Sequence, residues 1–326
     1  MNRNKLYFGL LMLALVVVIV GTAYEMLDAG KEEKSYTVSV IVDDSNNERW
    51  IAMREGLEQA ARDYNITMNY VFSGKFGSER EEMELIEREI QSGTDGLILQ
   101  MISDNLGLDK LGQDSPQVAV MLLETDVEPQ GIYAVTGPDN KGIGITLGET
   151  AATESDAAIK EKKVGVLAGD QAQIAMGQRL EGVKSALEKE GAEPLWTLWG
   201  NAQETGEMLE EKVQTDPVDI LIALGNEETE LAVDFLLTKG EEEKGSCLLY
   251  GVGYSEKAVY YLDKGWIKSL VVPNEFNMGY LSMEQIARQI QYRLSEVESR
   301  EIDYLVIDQE NLYEEENQKV LFPIVQ

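Results

Sequence analysis

Lys163-Val-Gly-Val-Leu-Ala-Gly-Asp170, followed by Arg179-Leu-Glu-Gly-Val-Lys-Ser-Ala-Leu-Glu-Lys-Glu-Gly191, reads as a buried strand and then an amphipathic helix. The continuous apolar run suits a strand covered on both faces, and the spacing of Leu180, Val183, Ala186 and Leu187 suits one helix face. A strand at 193–199, another helix, and Pro217-Val-Asp-Ile-Leu-Ile-Ala-Leu-Gly-Asn226 complete the unit. The same order already occurs upstream. A strand at 36–42 leads to Arg54-Glu-Gly-Leu-Glu-Gln-Ala-Ala-Arg-Asp-Tyr64, a strand at 67–72, a second helix, and Gly93-Thr-Asp-Gly-Leu-Ile-Leu-Gln100. Gly56 and Gly182, and Asp95 and Asp219, keep a nearly constant offset. The chain therefore describes one βαβ half-domain twice, an α/β plan of two similar lobes with a cleft between them.

Between and after the copies the pattern continues. Apolar 117–123 is a further parallel strand ending at Glu124-Thr-Asp126, and 131–136 is a short one. Turn chemistry at Gly137-Pro-Asp-Asn140 precedes a helix expected over 141–160, with Asp139 as its N-cap. Beyond the second copy, helices are expected at 227–237, 255–264 and 278–298 and strands at 246–252, 267–272 and 304–307, with Pro273-Asn274 as a break.

The 326 residues hold 28 Lys and Arg against 59 Asp and Glu, a formal net charge of −31. Such a surface repels phosphate, and no basic recognition helix precedes the first strand, so nucleic-acid binding is excluded. Residues 6–24 are uncharged and as a helix would span about 28 Å, close to a hydrocarbon core. Arg3 and Lys5 precede them, which keeps 1–5 in the cytoplasm and sends everything after 24 outside. Gly21-Thr-Ala23 could serve as a cleavage site, but the length favours a retained anchor, followed by a polar spacer at 25–35. The single cysteine, Cys247, offers neither an internal disulfide nor a lipid site near the anchor.

The chain contains no histidine, which removes the usual general base, zinc ligand and triad partner. It also lacks a G-x-G-x-x-G after a strand and a phosphate-cradling Walker sequence, so no cofactor is expected. The acidic runs at 241–243 and 314–316 read as solvated faces, and no metal site is expected. What remains is polar chemistry at the carboxyl ends of strands, where open α/β sheets bind ligands. Those ends hold Asn46, Asn47 and Trp50, then Gln100, then Glu124 and Thr125 in the first copy, and Gln171 and Asn226 in the second. Amides and carboxylates suit a polyhydroxylated ligand, and Trp50 offers a flat face to sugar C–H groups or else fills core. Trp196, Trp199 and Trp266 read as packing residues.

From Tyr36 onward the chain resembles the type 1 periplasmic binding proteins, in particular the ribose- and galactose-binding solute receptors of ABC transporters. The resemblance is carried by Ser45-Asn-Asn47 with Trp50, Gly56-Leu-Glu-Gln-Ala-Ala61, Gly93 to Gln100, Gly137-Pro-Asp-Asn140, Arg179-Leu-Glu-Gly182, Gly225-Asn-Glu227 and Gly251-Val-Gly-Tyr254. It implies two Rossmann-like lobes joined by three crossings near Gly137, Pro273 and Arg300, preceded here by one transmembrane helix. The lobes would be 36–137 with 274–300, and 138–273 with 301–326. It also implies Asp139 and Asn274 as ligand contacts beside Gln100 and Asn226. Four departures accompany it: Arg49 and the lone Trp50 where a pair of aromatics is usual, Gly253 where an aspartate is usual, Gly177 near a clamping arginine, and Pro273 near a ligand-binding amide. The implied protein is a non-enzymatic monomer, tethered to the cell membrane by a single pass. It holds a small sugar-like ligand for an ABC permease or, alternatively, reports that ligand to a sensor kinase.

Overall fold

The computed structural model describes residues 7, 9, 12–20, 22, 35–45, 50–71, 73–102, 115, 117–125, 133–154, 158–171, 173–292 and 298–322. The chain divides into two compact units, Met1–Ser35 and Tyr36–Gln326. In the first, the described residues between 7 and 22 are helical, and their apolar side chains, such as Leu13 and Val17, are exposed. Among the described residues no helix is long and apolar enough to cross a membrane.

The second unit is built on two six-stranded sheets. The first contains β1 (Tyr36–Ile41), β2 (Ile66–Tyr70), β3 (Gly96–Leu99), β4 (Ala119–Leu123), β5 (Ala134–Pro138) and β11 (Arg300–Ile302), in the order β11-β5-β4-β3-β1-β2. The second contains β6 (Val164–Gly169), β7 (Pro194–Trp199), β8 (Ile220–Ala223), β9 (Leu248–Val252), β10 (Ser269–Pro273) and β12 (Tyr304–Asp308), in the order β12-β10-β9-β8-β6-β7. Only β12 runs antiparallel to its neighbour. The sheets match in strand order and differ at one edge, where β11 is parallel and β12 antiparallel to its neighbour. The central strands β3, β6 and β8 are buried along their whole length, which is why they read as unbroken apolar runs.

The helices are α1 (Ile51–Asp63), α2 (Glu79–Gln91), α3 (Asn140–Glu154), α4 (Ile174–Lys189), α5 (Ala202–Thr215), α6 (Asn226–Thr238), α7 (Glu256–Asp263), α8 (Glu275–Tyr292) and α9 (Glu315–Leu321). The chain leaves the first sheet after β5, so α3 packs against α4 of the second lobe. It returns after β10, so α8 packs against α1 of the first. A last passage at Asp303 separates β11 from β12.

Both exchanges depend on glycine. A Cβ at Gly56 would sit on the Phe276 carbonyl and one at Gly279 on that of Met53, so α1 and α8 touch backbone to backbone. Gly144 against Arg179 and Gly182 against Lys141 repeat the arrangement between α3 and α4. Close approach of this kind excludes any larger residue without moving a helix.

Some expected elements differ. The helix expected over 141–160 ends at Glu154, where Thr153 turns its hydroxyl back to the Glu149 carbonyl (2.8 Å), and a separate turn at Ile159–Glu161 follows. The helix expected from 278 begins at Glu275, because the Asn274 side chain accepts the Asn277 N–H (3.0 Å) and starts it a turn earlier. Strand β11 and helix α9 had not been expected; at three and seven residues they carry too little periodicity to be read.

Candidate functional site

Because every strand but β12 runs parallel to its neighbours, the carboxyl ends of each sheet place strand-to-helix loops together. On the first lobe, β1 runs into Asp43, which three neighbours fix in place. Its N–H donates to Gln100 Oε1 (3.2 Å), its carbonyl accepts Trp50 Nε1–H (3.0 Å), and its Oδ1 accepts the Phe76 N–H (2.6 Å). Asp44 follows in the left-handed region (φ 46°). On the second lobe, Gly169 takes φ 70° and lets the chain turn sharply out of β6 toward Asp170 and α4. Gly225 caps α6, and Asn201 accepts the Glu204 N–H (3.0 Å) to start α5.

These loops enclose a cleft of about 610 Å³, open mouth included, with walls from both lobes. Trp50, Gln100, Asp43, Asp44 and Lys75 line it from the first; Asp170, Gln173, Met176, Asn201, Asn226 and the pair Glu227 and Glu228 line it from the second. A second hollow of about 460 Å³ adjoins it, sharing Met176 and Asn226 and reaching Arg179, Tyr254, Pro273 and Glu275. There the Tyr254 hydroxyl donates to Glu275 Oε2 (3.2 Å).

Three of the residues singled out in the sequence, Trp50, Gln100 and Asn226, meet at the cleft. Trp50 also belongs to the core, being only 3% exposed and packed among Val42, Met53 and Met278. Asn226 accepts the Ser255 N–H on Oδ1 (3.2 Å) and donates to Glu230 (3.2 Å), so part of its amide serves the loop. Glu124 and Thr125 are buried, and the Glu124 carboxylate accepts from Arg179. Asp139 is exposed and caps α3 through the Gly142 N–H (2.8 Å). Asn274 caps α8, and Gln171 is exposed outside the lining of the two hollows. Asn46 and Asn47 lie outside the described residues.

Arg179 is the centre of a buried network between the lobes. Its Nε donates to Asn140 Oδ1 (2.8 Å), Nη1 to the Leu224 carbonyl (2.9 Å) and Nη2 to Glu124 Oε1 (3.3 Å). Asn140 in turn donates to the Glu124 carbonyl (3.2 Å). At 4% exposure, this guanidinium is neutralised by Glu124 rather than left to a ligand.

The departure at Gly253 has a steric cause. The residue takes φ 119°, and a Cβ there would strike the Asn226 side chain, so an aspartate cannot occupy this backbone. The lining residues Lys75, Gln173, Met176, Asn201 and Glu228 were missed from the sequence. The loop after β7 is also a strand end, and that signal would have pointed to Asn201. Lys75 sits well beyond its strand and carried none.

Burial raises the Asp43 pKa, opposed by the Phe76 N–H and the Lys75 charge. Behind it, Glu82 is wholly buried, and desolvation, reinforced by the Asp43 charge, lifts its pKa to about 8. Its Oε2 accepts the Ile102 N–H (3.4 Å), and its Oε1 has no hydrogen-bond partner among the described residues.

A family model described as "Periplasmic binding protein domain" matches residues 38–293. Among solved structures, an ABC transporter solute-binding protein from Burkholderia graminis in complex with D-arabinose superposes with a TM-score of 0.79, at 17% identity over 87% of this chain and 99% of that one. The Caulobacter myo-inositol binding protein bound to myo-inositol gives 0.76 at 16% identity, covering 89% and 98%. A chain of the XylFII-LytSN complex gives 0.74 at 16% identity, covering 85% and 98%. A search of curated protein sequences finds no match. The family match over most of the chain and the two sheets of matching strand order agree: this chain belongs to the periplasmic binding protein family.

Proposed function

We propose that this protein is an extracytoplasmic solute receptor that closes its two lobes on a small sugar-like molecule and presents the closed form to an ABC importer. The observation that carries the reading is the cleft itself. It sits at the carboxyl strand ends of both sheets and gathers an indole, amides and carboxylates from two lobes, the set that recognises a ring bearing hydroxyls. The arabinose- and inositol-bound neighbours support it. Trp50, Gln100 and Asn226 contact the ligand directly. Glu124, Thr125, Asp139, Gln171 and Asn274, with Asn46 and Asn47, complete the proposed ligand-binding set. Binding alone is the activity, with no covalent chemistry, and the receptor works as a monomer.

Residues 6–24 tether the receptor as a single-pass anchor, with 1–5 in the cytoplasm and 25–35 as spacer; the apolar composition and preceding Arg3 and Lys5 support this. A fixed tether favours a second reading, a co-receptor that reports the ligand to a membrane sensor. The fold shared with the chain of the XylFII-LytSN complex supports it. Thermal melts of the full-length protein in detergent against a panel of pentoses, hexoses, hexosamines, inositols and sugar acids test the central reading. A binder at 100 times its Kd adds about 2.7 kcal/mol of apparent stability, whereas a flat response to the whole panel contradicts a sugar-like ligand. Ligand-dependent uptake lost on deletion identifies the importer role, and intact uptake with lost transcriptional response identifies the sensor.

A further inference from the structure

Glu82 is a buried titratable group that the solute-receptor reading leaves unused. It stands in the first turn of α2, one turn before the fully buried Ile86, and is itself shut off from solvent. Its Oε2 accepts the Ile102 N–H at 3.4 Å, and its Oε1 has no hydrogen-bond partner among the described residues. One long hydrogen bond does not compensate a carboxylate charge held out of water, whereas a neutral carboxylic acid needs far less compensation. Two charges among the described residues act on it, Asp43 from the loop after β1 and Glu79 from its own helix, and both are negative. Burial first, and then those charges, lift its pKa to about 8 against the opposing Ile102 N–H.

Asp43 is also the residue on which the first-lobe wall of the cleft is assembled. Gln100 accepts from its N–H, Trp50 donates to its carbonyl, and its carboxylate takes the Phe76 N–H and itself lines the cleft beside Lys75. Glu82 therefore acts on the ligand space through that one charge. While Glu82 is neutral, Asp43 carries its charge without repulsion from that side and can accept ligand hydroxyls. When Glu82 ionises, two like charges share a wall from which a bound ligand has expelled water, and the lost screening strengthens their repulsion. Binding then raises the proton affinity of Glu82, and by reciprocity the proton raises the affinity for ligand. The chain contains no histidine, the side chain that ordinarily titrates in this range, and burial pushes the thiol of its single cysteine up to about 12. A pH profile of binding near neutrality therefore reports on Glu82.

We infer that Glu82 is a positioning residue for the ligand, a buried proton carrier behind Asp43 whose protonated form favours the liganded cleft. The inference rests on the solute-receptor reading. Titration calorimetry of the full-length protein in detergent with D-arabinose, D-galactose, D-glucose and myo-inositol tests it, run from about pH 6 to about pH 9 in buffers of different ionisation enthalpy. The expected result for whichever sugar binds is proton uptake on binding and a Kd that rises roughly three- to tenfold over that range. Glu82→Gln, confirmed folded by melting, should hold the parent's acid-side Kd throughout, because a neutral amide replaces the protonated acid. Asp43→Asn keeps an acceptor for the Phe76 N–H and removes the charge; it should bind more weakly and without the pH dependence. A Glu82 that serves stability alone leaves the Kd of the folded protein independent of pH. That flat profile, an opposite one, or a parent-like profile in either variant overturns the inference and leaves the receptor reading standing. Failure of every sugar to bind overturns both.

Discussion

At Trp50, two demands fall on one side chain. Its indole is packed in the first-lobe core and hydrogen-bonded to the Asp43 carbonyl, yet its edge reaches the cleft. Trp50→Ala is therefore expected to lower stability by about 3 to 5 kcal/mol and to weaken ligand binding, whereas Trp50→Phe keeps most of the packing and loses chiefly the N–H bond. Melting curves paired with calorimetric titration separate the two effects. Asn226→Ala should weaken binding by about 1 to 3 kcal/mol and, because Ser255 N–H loses its acceptor, cost about 1 kcal/mol of stability. Glu82 gives a pH dependence. Its folded-state pKa of about 8 lies above the ordinary 4.5, so the native protein holds a proton that the unfolded chain has released. Stability should fall as pH rises between those values, and Glu82→Gln should flatten that fall. Melting temperatures across the range check the sign; a variant that declines as steeply as the parent rules Glu82 out as the cause. Strand-end amides at Gln100 and Asn226 were legible because the strands before them were. The role of Arg179 was not, since its partners Glu124 and Asn140 lie far away in sequence and meet it only where lobes adjoin.

Among the elements, the helix pairs α1–α8 and α3–α4 repeat one device, glycines that let two backbones touch. Within α4 alone the device makes a sharp contrast. Gly182 faces the Lys141 carbonyl, whereas Gly177, one and a half turns earlier, is exposed with nothing near its missing Cβ. Gly182→Ala should cost about 1 to 3 kcal/mol by overpacking, while Gly177→Ala should stabilise by about 0.5 to 1 kcal/mol through helix propensity. Denaturant titrations of the two variants read the difference, and similar values would refute the close-approach account. The strands were legible as apolar runs and α1 and α4 as amphipathic stretches. The partners of those helices were not, because α3 and α8 follow strands of the opposite sheet, and periodicity carries no record of which lobe a helix packs on. Helix ends moved for local reasons, the Asn274 cap and the Thr153 back-bond, which are single contacts rather than patterns.

For the whole molecule, duplication is the property that reached from sequence to architecture. Two copies of one half-domain give two sheets of equal strand number and matching order, with three chain passages at 138–139, 273–274 and Asp303. The net charge of −31 belongs to the same scale and acts against anionic partners. The proposed topology predicts that protease added to intact cells digests the lobes and leaves a short membrane-bound fragment from the N-terminus; protected lobes, or mature protein in the medium beginning near Tyr24, would contradict the anchor. The account's central claim is closure, since a ligand touching both walls of the cleft binds the closed arrangement better than the open one and must shift the population by that difference. Small-angle scattering of the protein, with and without a saturating ligand drawn from the sugar panel, measures this directly. The account predicts a smaller radius of gyration in the liganded state, and an unchanged radius under calorimetrically proven saturation would contradict it.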